Sequence, residues 1–299
     1  MALNTFEKAV FAREKPLVRS EEKVYQEYLQ DEELREQRSK NGQKKIMDEF
    51  RESYGEVAIR KDWQEMDNAI DRTKIDYNQR GELFEYLLYK SDQYGWFGDN
   101  CCITKSSCYD DRANFTDIVM EWEDENGQID RLAIDCTITT YENKLKKKLS
   151  GITRKLASGE LSSLKYHVSE FTEDKGNISR VPQVVLVLEP EKITGLCNNY
   201  SQILNKQKGS KDKFSQNPLQ IMLLSQIKDQ LEDYSKRIIR ALRKNSDNQE
   251  LVDAQKKIGR LSSIIQDILA KKREILNQNS FQSGIEEWQK SFFRKVLNE

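Results

Sequence analysis

The strongest constraint on this chain is the matched alternation of two runs. Phe115-Thr-Asp-Ile-Val-Met-Glu-Trp122 is followed by Asn126-Gly127 and then by Arg131-Leu-Ala-Ile-Asp-Cys-Thr-Ile-Thr139. Ile118, Met120 and Trp122 share one face of the first run, and Asp117, Val119 and Glu121 the other. On the second run Leu132, Ile134, Cys136 and Ile138 share a face, with Asp135 and Thr137 opposite. Strand side chains alternate with a period of two, so burying both apolar faces together pairs even residues with even ones. A two-residue turn at Asn126-Gly127 pairs odd with even. A three-residue loop, Glu125-Asn126-Gly127 with Gly127 left-handed, restores the match. It sets Asp117 opposite Asp135, Glu121 opposite Arg131 and Ile118 opposite Ile134. Opposed carboxylates destabilise a sheet unless something compensates. A hard divalent cation, which takes one or two carboxylates plus water and phosphate oxygens, is the expected compensation.

The flanks read as helix. Residues 1–78 are charged and amphipathic, with a helix from an N-cap at Ser20 to Leu29, a break at Lys40-Asn-Gly-Gln43, and a second stripe at Trp63, Met66 and Ile70. Gly81 to Lys90 is a short apolar helix carrying Glu82 and Glu85, and a turn then leads to a strand near Cys101–Thr104. After the hairpin, Thr139-Thr-Tyr-Glu142 predicts a capping box opening a basic helix with Lys144, Lys146, Lys147, Lys148, Arg154 and Lys155. The continuous apolar run from Val181 to Leu188 predicts a buried central strand. Asn217-Pro218 predicts a helix start. Helical spacing to Ile238, a break at Asn245–Asn248 and renewed spacing to Leu276 predict an antiparallel helical hairpin, closed within the chain or between two copies. Three segments follow: a helical extension (1–78), an α/β core (79–200) and a C-terminal helical region (201–299).

Composition narrows the function. With Lys+Arg 49 and Asp+Glu 50, no global field draws the protein to an anionic partner, so any basic surface is local. The first residues, Met1 to Lys8, lack the apolar run of a signal peptide, and no segment approaches a membrane span. Five cysteines fit neither a disulfide nor a zinc framework, which points to reduced thiols and a cytoplasmic location. One histidine, His167, argues against histidine-based hydrolysis and reads as structural.

A helix glutamate, an aspartate opening one strand, a second acid on the paired strand and a following helix resemble the core of the PD-(D/E)xK nuclease superfamily, over roughly residues 80–190. The resemblance implies an α/β fold with a restriction-endonuclease-like central mixed sheet flanked by helices, bearing long N- and C-terminal helical extensions. It implies Mg²⁺ or Mn²⁺ held by Asp117, Asp135, Glu85 and the backbone carbonyl of Cys136. Glu85 is preferred to Glu82, which sits at the helix start where an acid suits the dipole. The family's lysine two residues after the second acid is replaced here by Thr137. Lys144 or Lys148, four apart on the next helix, are the candidates to supply it. Arg112, Lys147 and Lys165, with Lys105, would follow a phosphate backbone. The expected activity is metal-dependent phosphodiester hydrolysis, on DNA in preference to RNA, with a homodimer through the C-terminal helices as a further expectation. The alternatives are a catalytically inactive protein of the same fold that binds nucleic acid or a protein, and a helical scaffold.

Overall fold

A computed structural model describes residues 16–31, 34, 40–73, 79–172 and 175–298; Met1–Lys8 and the side chain of Ile70 fall outside the described part. Helix α1 spans Arg19–Gln30, α2 Lys40–Glu49, α3 Arg51–Tyr54, α4 Glu56–Thr73 and α5 Gln79–Ser91. Strand β1 (Cys101–Lys105) leads to the short helix α6 (Cys108–Asn114), then β2 (Ile118–Glu123) and β3 (Ile129–Ile138). Helix α7 (Glu142–Leu156), a hairpin of β4 (Ser162–Val168) and β5 (Lys175–Val181), and β6 (Gln183–Leu188) follow. The chain continues with α8 (Pro190–Leu204), α9 (Ser210–Ser215), α10 (Leu219–Leu242), α11 (Gln249–Ile275), α12 (Gln278–Lys290) and α13 (Phe292–Asn298). The fold is mixed α/β.

The β2–β3 register is the one the alternation demands. Ile118 pairs with Ile134 and Glu121 with Arg131, and the loop closes through Asp124 and Gln128 around a left-handed Gly127 (φ 75°). The Asp124 carboxylate accepts from the N–H groups of Asn126 and Gln128, which holds the turn.

Strand order is β1-β2-β3-β6, antiparallel except for the parallel β3–β6 pair. Strand β6 is therefore at the sheet edge rather than central, yet Val184 to Leu188 are buried. The edge is covered by α10. In a parallel ladder alternate residues turn their N–H and C=O outward; here these are Val185 and Val187. The Gln230 amide accepts from Val185 N–H (3.0 Å) and donates to its carbonyl (2.9 Å); Gln226 does the same for Val187 (2.9 and 2.9 Å). Four residues on a helix advance about 6 Å and two on a strand about 6.6 Å, so glutamines at i and i+4 match alternate strand residues. Two side-chain amides thus stand in for a fifth strand.

One apolar core runs from α1 through α5 and the sheet to α10 and α11, and the α10–α11 hairpin closes within the chain. The β4–β5 hairpin, not foreseen from the sequence, covers the second face of the sheet: Leu164 and Val181 pack on Val119 and Ala133.

Several local expectations are corrected. Helix α1 starts after Val18, whose N–H donates to Glu21, so Ser20 lies inside it. Lys40–Gln43 open α2 instead of breaking a helix. Thr139 is not the cap of α7. Its N–H bonds Leu188 on β6 and its hydroxyl accepts from Tyr141 N–H, while Tyr141 is the N-cap and Glu142 pairs with Lys146. The sheet keeps Thr139, and the helix begins later. At Asn217-Pro218 the Asn217 side chain does accept from Leu219 N–H. The five cysteines are free thiols. Among the described residues no helix is long and apolar enough to cross a membrane.

Candidate active site

A cavity of about 300 Å³ opens at the end of the sheet where β2 begins and β3 finishes. Helix α5 contributes Gly81, Glu82 and Glu85, and the α6–β2 junction Asp111, Phe115 and Asp117. Strand β3 contributes Asp135 to Ile138, and α7 Lys144 and Lys148. The sequence candidates Glu85, Asp117, Asp135, Cys136, Lys144 and Lys148 therefore meet at one place.

Asp117 precedes β2, and its Oδ2 accepts from the Cys136 N–H at 2.6 Å, which ties the first acid to the strand carrying the second. Burial, reinforced by Glu85, Asp111 and Asp135, pushes its carboxyl well above the ordinary range. Burial also raises Asp135, against the pull of Lys148, Thr137 and Lys144. The Lys148 ammonium lies 2.5 Å from Asp135 Oδ1 and donates to Thr137 Oγ1 at 2.7 Å. It reaches the pair from the next helix, at the position where the sequence has no lysine. Lys144 lines the same cavity and its charge favours ionised Asp135.

Asp111 is a fourth acid, beyond those expected from the sequence. It hydrogen-bonds Asp117, and burial and Glu85 push it up to about 6. The signal was present in Ser107-Cys-Tyr-Asp110: Ser107 caps α6 by accepting from Asp110 N–H. Asp110 itself points inward, accepting from the N–H groups of Lys165 and Tyr166. Successive helix residues point about 100° apart, which sends Asp111 to the cavity.

Glu85 pairs with Lys105 of β1 at 2.8 Å. Burial alone would lower the Lys105 pKa, but Glu85 outweighs it and the net shift is upward. Lys105 is a part-buried counter-ion of the helix acid and does not line the cavity. Glu82 is taken by the hydroxyls of Tyr25 and Tyr28, which leaves Glu85 as the helix acid facing the other carboxylates.

Three other expected substrate-binding residues, Lys165, Arg112 and Lys147, lie outside the cavity lining. Lys165 pairs with Asp62 and is surrounded by the rings of Tyr54, Tyr109 and Tyr166. It belongs to the packing of β4, because the unforeseen hairpin turns this segment onto α4 and α6. Arg112 sits beside Asp111, whose ionised form its charge favours, and does not line the cavity. Lys147 is exposed on α7, outside the cavity lining.

The acids of the cavity differ from Glu121 of β2. Burial would raise Glu121 too, but His167 and Arg131 outweigh it and hold the carboxyl down to about 2. Arg131 is 2.6 Å away and His167 Nε2 3.3 Å; His167 is thus a structural partner. Arg131 and His167 flank Glu121, whereas burial raises Asp111, Asp117 and Asp135, with Glu85 adding to the rise at Asp111 and Asp117. Their donors are hard oxygens suited to a divalent cation. Among the described residues no three carboxylate, thiol or imidazole side chains are already gathered as a metal-ligand set; lysines take part of that place at Glu85 and Asp135. No protein-family model, no curated protein and no solved structure matches the chain.

Proposed function

We propose that this chain is a metal-dependent nuclease of the PD-(D/E)xK type, with a restriction-endonuclease-like core, hydrolysing phosphodiester bonds of DNA in preference to RNA. The observation that carries the reading is Lys148. Its ammonium bridges Asp135 and Thr137, which supports a lysine supplied from the following helix in place of the one missing two residues after the second acid. The carboxylates gathered beside it, only partly offset by Lys148 and Lys105, support a cation of the Mg²⁺ or Mn²⁺ kind, held by Asp117, Asp135, Glu85 and the carbonyl of Cys136. Bound there, such an ion supplies Lewis acidity and a water of lowered pKa.

The chain's own residues do the rest. The Cys136 N–H fixes the rotamer of Asp117. Lys105 orients Glu85 from inside the fold. Lys148 places a preorganised positive charge where negative charge develops on the phosphoryl oxygens, a contribution worth about 10²–10³ in rate at comparable sites. Lys144, further out on the same helix, favours approach of a phosphate.

The test is cleavage of supercoiled plasmid, linear DNA and single-stranded RNA with Mg²⁺, Mn²⁺ or EDTA, by wild type and by the Asp117→Asn/Asp135→Asn variant. Metal-dependent cleavage lost in a folded variant is expected. Activity retained by the variant refutes the site. A folded wild type that cleaves nothing favours a binding protein that keeps the fold without the chemistry.

A further inference from the structure

Phe115 occupies an unusual position for an aromatic residue. It closes α6 in the left-handed conformation (φ 54°, ψ 44°), its N–H bonding the Asp110 carbonyl. Glycine or asparagine is the ordinary occupant of such a C-terminal position, because a Cβ is strained there. The conformation is held from outside: Gln183 Nε2 donates to the Phe115 carbonyl at 2.6 Å and to that of Asn114 at 3.1 Å. The ring gains little from the fold in return, since Phe115 is 67 % exposed. Among the described residues no other ring or cation stacks on it. It lines the cavity mouth two residues from Asp117, together with Asp111, Lys144 and Lys148.

An exposed ring on a strained backbone, at the rim of a polar cavity, points to work done on a ligand rather than on the core. We infer that Phe115 stacks on an unpaired nucleobase next to the phosphate held in the cavity, so that the substrate is a single strand or a frayed end. This rests on the nuclease reading of the cavity. Bases inside a duplex already have both faces stacked, whereas an unpaired base offers a free face to an aromatic side chain. Lys144 and Lys148 line the same cavity, where the attached phosphate would sit.

The experiment uses the full-length chain as wild type, Phe115→Ala, Phe115→Trp and Phe115→Gly. Single-stranded DNA, single-stranded RNA and blunt duplex DNA of one sequence, each carrying 2-aminopurine, report stacking and affinity in EDTA. Cleavage is read separately in Mg²⁺. Single strands should bind more tightly than duplex and quench the probe. The Ala and Gly variants should lose about tenfold or more in affinity, and Trp should keep it, since one stacked base is worth about 5- to 150-fold. The Gly variant should also melt at a higher temperature than wild type, because the strain is relieved and little burial is lost. Wild-type affinity in Phe115→Ala, equal binding of duplex and single strand, or a lower melting temperature in Phe115→Gly overturns the inference. Cleavage indifferent to Phe115 removes the stacking and leaves the nuclease. Phe115-dependent binding without any cleavage removes the nuclease and leaves the stacking. A wild type that neither binds nor cleaves removes both.

Discussion

Replacing Gln226 by alanine tests how the site is supported from behind. Val185 and Val187, the residues that Gln230 and Gln226 hold, are the β6 partners of Asp135 and Thr137. Both glutamines are 0 % exposed, and so is Val185; Val187 is 3 % exposed. Water therefore has no route to replace a lost amide. Gln226→Ala orphans one N–H and one C=O, each costing about 1–3 kcal/mol when buried without a partner, or about 2–6 kcal/mol together. Gln230→Ala should cost at least as much, since Gln230 also donates to the Gln226 carbonyl. Gln226→Glu makes a sharper test. Protonated, the new carboxyl can still accept from Val187 N–H and donate to its carbonyl. Ionised, it sets an oxygen against an oxygen inside the core. Its folded pKa is therefore raised above the unfolded value of about 4.3. Between those two values the unfolded state binds fewer protons, so stability relative to wild type falls with rising pH by about 1.4 kcal/mol per unit. Urea unfolding of wild type and variants at several pH values between about 4 and 8 reads both quantities, and amide exchange at Val185 and Val187 locates them. A Gln226→Ala cost below about 0.5 kcal/mol, or a Gln226→Glu deficit that is flat in pH, refutes the idea that these amides act as a fifth strand.

Two further outcomes follow from the cavity. Lys148→Ala should lower the cleavage rate at saturating metal by about 10²–10³ with little change in fold, read from kcat and circular dichroism, while Lys147→Ala, outside the cavity, should not. The acids also give a signed pH effect: Asp111, raised to about 6, and the raised Asp117 and Asp135 hold protons in the folded state that the unfolded state has released. Their cost to the fold grows as pH rises from the unfolded carboxylate value of about 4 toward each folded value, is complete above it, and is relieved as pH falls back toward about 4. In EDTA, Asp117→Asn should therefore raise the melting temperature near neutral pH, with a gain that shrinks toward pH 5; a variant less stable than wild type at neutral pH would contradict this.

The parts legible in the sequence were those governed by a local period. Alternation and one left-handed glycine determined the β2–β3 register, and with it the meeting of Asp117 and Asp135, because a slip of one residue would turn every apolar side chain outward. The helical stripe marked the α10–α11 hairpin for the same reason, since burial selects one face, while α5 showed as an apolar-rich run and α7 as a basic one. Tertiary structure alone decided the rest. A glutamine at helical spacing looks like solvated surface until a strand edge lies beside it, so nothing local marked Gln226 and Gln230 as the cover that lets an apolar strand sit at the edge. Lys165 looked like a phosphate contact until the β4–β5 hairpin closed over Val119 and turned it among three tyrosines. Asp111 joined the acids only because Asp110 anchored α6 to β4 from its other side. Lys144 and Lys148 were equal candidates by spacing; the path of the chain from Thr139, held on β6, into α7 brought Lys148 to Asp135. Periodicity reports which way a side chain faces along its own element, and the identity of what it faces is set by contacts between residues far apart in the chain.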